Sequence, residues 1–114
     1  MNKKDFVYVF WRNFIIGTLS KNENKYTFKY GFEINYALRE GFSPLVPFED
    51  INKTYESNKL FPIFSSRIPD KRRKDIDLIL NKYGLKEYDE YQLLKKSGGS
   101  LPIDELSFVC FEEN

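Results

Sequence analysis

Three runs of β-branched and aromatic residues among the first thirty positions constrain this chain more than anything that follows them. Asp5 to Arg12 (Asp-Phe-Val-Tyr-Val-Phe-Trp-Arg) suits a strand, because such side chains pack well on a pleated surface and lose rotamer freedom in a helix. Its alternation sets Phe6, Tyr8 and Phe10 on one face and Val7, Val9 and Trp11 on the other, so both faces are expected to be covered. Phe14 to Leu19 reads as a second strand, reached through a tight Arg12-Asn13 connection, with Gly17 marking a bulge or a close backbone approach. A polar turn, Lys21 to Asn24, leads to a third strand, Tyr26 to Tyr30. The opening is an antiparallel meander.

Residues 31–41 read as a short helix carrying Phe32, Tyr36 and Leu38 and ended by Gly41. Phe42 to Phe48 holds Pro44 and Pro47, each of which removes a ladder donor, so the segment is expected as an edge strand or an extended stretch. Glu49 to Lys59 is polar and reads as an exposed loop or hairpin tip. From Leu60 an apolar plug (Phe61, Ile63, Phe64, Ile68) runs into Pro69-Asp70, a helix-start signal with Asp70 as N-cap. Ile76, Ile79, Leu80 and Tyr83 then recur at helical spacing until Gly84. A further helix, about Glu87 to Lys96, begins acidic and ends basic before Gly98-Gly99, with Tyr88, Tyr91 and Leu94 inward. After a Gly-Gly-Ser-Leu-Pro loop, Leu106 to Phe111 reads as a closing strand. The predicted class is α+β: an antiparallel sheet made of an N-terminal meander plus a returning C-terminal strand, packed with two to four short helices in one domain spanning residues 1–114.

The chemistry open to the chain is narrow. With no histidine and a single cysteine, Cys110, the usual zinc sites and Ser-His or Cys-His catalysis are excluded, and no intramolecular disulfide can form. There is no phosphate-cradling glycine run, and carboxylate pairs such as Asp75 with Asp77 fall on predicted solvent faces. A non-enzyme without cofactor or metal is expected. The N-terminus lacks the apolar run and cleavage site of a signal peptide, and no stretch of about twenty apolar residues spans a membrane, so a cytoplasmic protein is expected. Eighteen basic against seventeen acidic residues give no global field, so any attraction to nucleic acid would be local, weak or indirect.

One local feature stands out. Lys71, Arg72, Arg73 and Lys74, placed in the first turn of the predicted helix, oppose its dipole. They read either as a solvated helix start softened by Asp70, Asp75 and Asp77, or as a docking patch for an acidic surface or phosphate backbone, helped by Arg67. Trp11 is the candidate aromatic anchor beside them, against the ordinary reading of a core residue.

Several stretches together resemble the N-terminal subdomain of HipA-family serine/threonine kinases. These are Gly17-Thr18-Leu19 with Tyr26-Thr27-Phe28-Lys29-Tyr30, then Ser43-Pro44-Leu45-Val46-Pro47, then Phe61 to Asp70, and finally Tyr83-Gly84-Leu85 with Tyr91-x-Leu93-Leu94 and Gly98-Gly99. The resemblance implies a chain without the kinase's nucleotide-binding or catalytic residues, similar to the free-standing HipS-like antitoxins of split HipBST systems. It therefore implies binding to a HipA- or HipT-like kinase subunit, with a helix-turn-helix HipB-like repressor as a further partner; the residues expected at that contact, Trp11, Arg67, Lys71, Arg72, Arg73 and Lys74, are the local features named above and are not fixed by the resemblance. The alternative is a nucleic-acid-associated module of a HIRAN-type system.

Overall fold

Alternate burial along the first strands sets the whole architecture. In the computed structural model, which describes residues 5–101 and 104–110, β1 (Asp5–Trp11) buries Val7, Val9 and Trp11, while Phe6, Tyr8 and Phe10 stay half-exposed on the opposite face. One face of the sheet is thus covered, and the other is only partly so. β2 (Phe14–Asn22) and β3 (Lys25–Tyr30) continue the meander, and β4 (Thr54–Ser57) and β5 (Leu106–Val109) complete a five-stranded antiparallel sheet of order β4-β3-β2-β1-β5. The closing strand does return to the opening sheet: Val109 pairs with Tyr8 and Leu106 with Trp11. Parts of the N-terminal, loop and strand-end expectations fall on residues 1–4, 102 and 111, outside the described residues.

Both hairpin turns are tight. Trp11 pairs with Phe14 and Asn22 with Lys25, and Arg12 (φ 53°) and Glu23 (φ 58°) adopt the left-handed conformation that such turns require. Gly17 combines both roles foreseen for it. The β1–β2 register slips beside it, and a Cβ there would run into the Lys29 carbonyl oxygen.

α1 (Ile34–Arg39) forms the predicted short helix, held at its start by Glu33 N–H donating to the Ile15 carbonyl (2.8 Å) and Ile15 N–H donating to Glu33 Oε1 (2.9 Å). The edge strand lies elsewhere than expected. Residues 42–48 make no ladder; β4 takes that edge from within the stretch read as an exposed loop. The reason is the burial of both ends of the proline segment: Phe42 and Phe48 enter the core, and the Tyr30 hydroxyl accepts from Leu45 N–H (2.9 Å) and donates to the Phe48 carbonyl (2.8 Å). This leaves Tyr55, packed on Phe48, as the inward residue of β4.

The remaining helices close the covered face. α2 (Pro62–Ser65) drops Phe64 onto Phe28, Phe48 and Phe108. α4 (Glu90–Ser97) is capped by Asp89, whose carboxylate accepts from Gln92 N–H, and buries Tyr91, Leu93 and Leu94. It is pinned to the start of β1 by Lys95 Nζ on Asp5 Oδ1 (2.8 Å) and by the Tyr91 hydroxyl donating to the Asp5 carbonyl (3.0 Å). α3 (Ile76–Lys82) starts later than its sequence signal, and of its residues only Leu80 is fully buried. No helix among the described residues is long and apolar enough to cross a membrane.

Candidate partner-binding surface

The basic run does not lie on a helix. Asp70 is not an N-cap: its carboxylate closes a local turn by accepting from Arg72 N–H (2.8 Å), the competing use of an aspartate at such a position. Residues 70–75 are therefore turn, and the conflict between four cations and a helix dipole does not arise. The same Asp70 carboxylate takes the Arg72 guanidinium through both oxygens (3.2 and 3.0 Å) and is held at a pKa of about 2 by those bonds. Asp75 does likewise for Arg73 (2.8 and 2.9 Å), which keeps its carboxyl below the usual range. Lys71 and Lys74 are exposed and make no ion pair among the described residues. Arg72 remains 90% exposed in spite of its partner.

Tyr88 fixes the loop from the other side, its hydroxyl donating to the Pro69 carbonyl (2.6 Å); partial burial, with Glu90 and Asp70 nearby, raises its pKa. Between Ser65 and Ser66 after α2, Asp70 and Lys71 in the loop, and Tyr88 and Glu90 at α4 lies a surface hollow of about 540 Å³.

Arg67 and Trp11 are placed inside, apart from this loop, and not on display as expected. The Arg67 side chain is 3% exposed. Its Nε donates to the Ile63 carbonyl (3.0 Å), its Nη1 to the Gly99 carbonyl and to Asp104 Oδ1 (both 3.1 Å), and its Nη2 to Asp104 Oδ2. The guanidinium also lies 5.5 Å from the centre of the Phe108 ring. Trp11 packs on Phe14 and Phe42 and lies under the Arg12 guanidinium, 4.4 Å from its ring centre.

Four large apolar residues, Phe32, Tyr36, Val46 and Leu78, are exposed among the described residues, and none of them reads as a site residue from the sequence. Leu78 stands 72% exposed on α3, and its signal was present, since it falls off the Ile76, Ile79, Leu80, Tyr83 stripe. Phe32 is 65% exposed with φ 57°, edge-on to Tyr8 at 5.6 Å, and joins the half-exposed row of Phe6, Tyr8 and Phe10. Nothing in the sequence pattern announces a left-handed phenylalanine.

A five-stranded antiparallel sheet with short helices on one face, and a charged turn between α2 and α3, defines a small α+β domain. The chain belongs to the HipA N-terminal domain family, whose model it matches over residues 7–102. The match is to the N-terminal domain and not to a kinase catalytic domain. Among solved structures it is similar in fold to an "N-terminal domain of HipA toxin", with a TM-score of 0.61 at 20% identity, covering 100% of this chain and 98% of that one. No curated protein sequence matches the chain.

Proposed function

We propose that this protein is a non-catalytic binding partner of a HipA-type serine/threonine kinase in the cytoplasm, and that it acts as the antitoxin that restrains that kinase. The observation that carries the reading is membership of the HipA N-terminal domain family across residues 7–102. A domain of that kind belongs, in the structural match, to a HipA toxin, so the surface it presents is one suited to contact with HipA-type catalytic machinery. A helix-turn-helix repressor is a further partner on this reading.

The test is titration of the purified protein into the HipA-type kinase encoded in the same genome, following complex formation by size exclusion and kinase autophosphorylation by phosphate incorporation. A stable complex with autophosphorylation falling to the background at equimolar protein is the expected result. Absence of a complex at micromolar concentrations overturns the proposal, and a complex with rising activity replaces restraint by activation.

The unpaired Lys71 and Lys74 favour a second reading, a module that contacts a phosphate backbone. Duplex binding whose affinity falls steeply with salt would support it, because each neutralised phosphate releases counterions.

A further inference from the structure

We propose that the protein docks on its partner through α3, with Leu78 entering an apolar socket and Lys74 and Lys82 meeting acidic side chains around that socket. The inference rests on the kinase-binding reading and specifies the surface that performs it.

Three observations converge on α3. Leu78 is 72% exposed in a helix whose flanking apolar residues, Ile76, Ile79 and Tyr83, are themselves only half-buried, so a partly apolar face reaches solvent. The helix is seven residues long and has no side-chain cap at Asp75. So short a helix is not stable by propensity and gains from any packing that a partner adds. Finally, Lys82 follows Leu78 by four residues within the helix, which sets it on the same side as the leucine, and Lys74 lies in the turn that leads into the helix. Both lysines are exposed, and neither makes an ion pair among the described residues.

The charge pattern selects the partner's chemistry. Residues 70–82 carry five cations and three anions, a net +2 against +1 for the whole chain. Arg72 and Arg73 are paired with Asp70 and Asp75, so the charge left to a partner is that of Lys71, Lys74 and Lys82 set against the single carboxylate of Asp77. An apolar knob flanked by two lysines without ion pairs among the described residues, one of them, Lys82, resting 5.4 Å from the Tyr83 ring centre, fits an acidic rim around an apolar socket, which is a protein surface. A nucleic acid backbone would engage the cations and leave Leu78 in water, and it would favour forked guanidinium contacts that are here committed to aspartates.

The experiment measures affinity by biolayer interferometry for the HipA-type kinase of the same genome and, separately, for a 20-base-pair DNA duplex, in about 50 and 300 mM salt. Full-length wild-type protein is compared with Leu78→Ala, Lys74→Glu with Lys82→Glu, and Arg72→Ala, with thermal unfolding confirming that each is folded. Leu78→Ala should weaken kinase binding by about tenfold at both salts, as truncation of a central apolar anchor does. The double charge reversal should weaken it by about tenfold or more at low salt and by less at high salt, as screening predicts. Arg72→Ala should stay within about twofold. If the wild type binds the kinase and neither the leucine nor the lysine variant changes affinity, docking through α3 is overturned while the kinase reading stands. If the wild type does not bind the kinase, both fall. Loss of duplex binding in the lysine variant with kinase binding intact also overturns the proposal.

Discussion

Arg67→Met should destabilise the fold far more than a surface arginine could, because it removes the buried donor that joins three separate parts of the chain. The guanidinium serves the Ile63 carbonyl in α2, the Gly99 carbonyl after α4, and the Asp104 carboxylate just ahead of β5. Removing one partner of a buried ion pair costs on the order of 3–5 kcal/mol. Asp104 keeps about a third of its surface in water (34%) and can rehydrate, which favours the lower end. Each orphaned carbonyl adds about 1 kcal/mol unless water reaches it. Methionine fills much of the vacated volume, so the loss should be about 4 kcal/mol, or roughly 15 °C in Tm for a chain of this size. Urea unfolding with a common m-value, followed by circular dichroism, measures it. Arg67 also holds the Asp104 carboxyl below its ordinary pKa. A depressed carboxylate adds stability that is present above the unfolded value of about 4 and lost as pH falls below it, so the acid limb of the wild-type profile should flatten in Arg67→Met. A loss under 1 kcal/mol would refute the reasoning. Unchanged stability with lost kinase affinity would instead make Arg67 a contact residue.

Gly17→Ala should cost at least about 2 kcal/mol and broaden the β2–β3 amide signals in NMR spectra, because the added methyl meets the Lys29 backbone rather than a yielding side chain. Tyr30→Phe should lose about 2 kcal/mol, about one for each of its two hydrogen bonds, and the Leu45 amide should lose hydrogen-exchange protection while Phe28 retains its own. Burial pushes the Tyr30 phenol up to about 12 and raises that of Tyr91, so both stay neutral in the fold above the point where unfolded tyrosine ionises; stability should hold below pH 10 and fall as pH rises from there towards 12, in a denaturant titration. Trp11, the chain's one tryptophan, should emit as a buried indole and keep its wavelength when the kinase is added, whereas a saturable shift on binding would restore it as an anchor.

What was legible in the sequence depended on whether the deciding partner was near or far along the chain. The meander shows itself locally, since Val7, Val9 and Trp11 alternate with Phe6, Tyr8 and Phe10 and only one set is buried. α4 shows itself too, through Asp89, the acidic first turn and Lys95-Lys96 ahead of Gly98. β4 does not, because four residues with one aromatic become a strand only when Phe28 and Phe48 supply a partner and a floor for Tyr55. The start of α3 was misplaced by a competition that is itself local: Asp70 after proline serves a cap or a turn equally well, and the Arg72 amide settled it for the turn.

The charged residues carry the same lesson into function. A run of four cations looks like one patch, but its members have different fates once the aspartates at two-residue spacing are placed: Arg72 goes to Asp70 and Arg73 to Asp75. Arg67, which looked like an extension of the patch, is claimed from 37 residues away by Asp104. In the same way Asp5 takes Lys95 and Glu105 takes Arg12 across the ends of β1. Four of the five arginine forks, those of Arg12, Arg67, Arg72 and Arg73, thus serve the fold or its turns, while the lysines that flank Leu78 make no ion pair among the described residues. A count of positive residues therefore overstates the patch and misses its centre, because a buried partner removes a charge from the surface and an exposed leucine adds the contact that charge alone cannot supply.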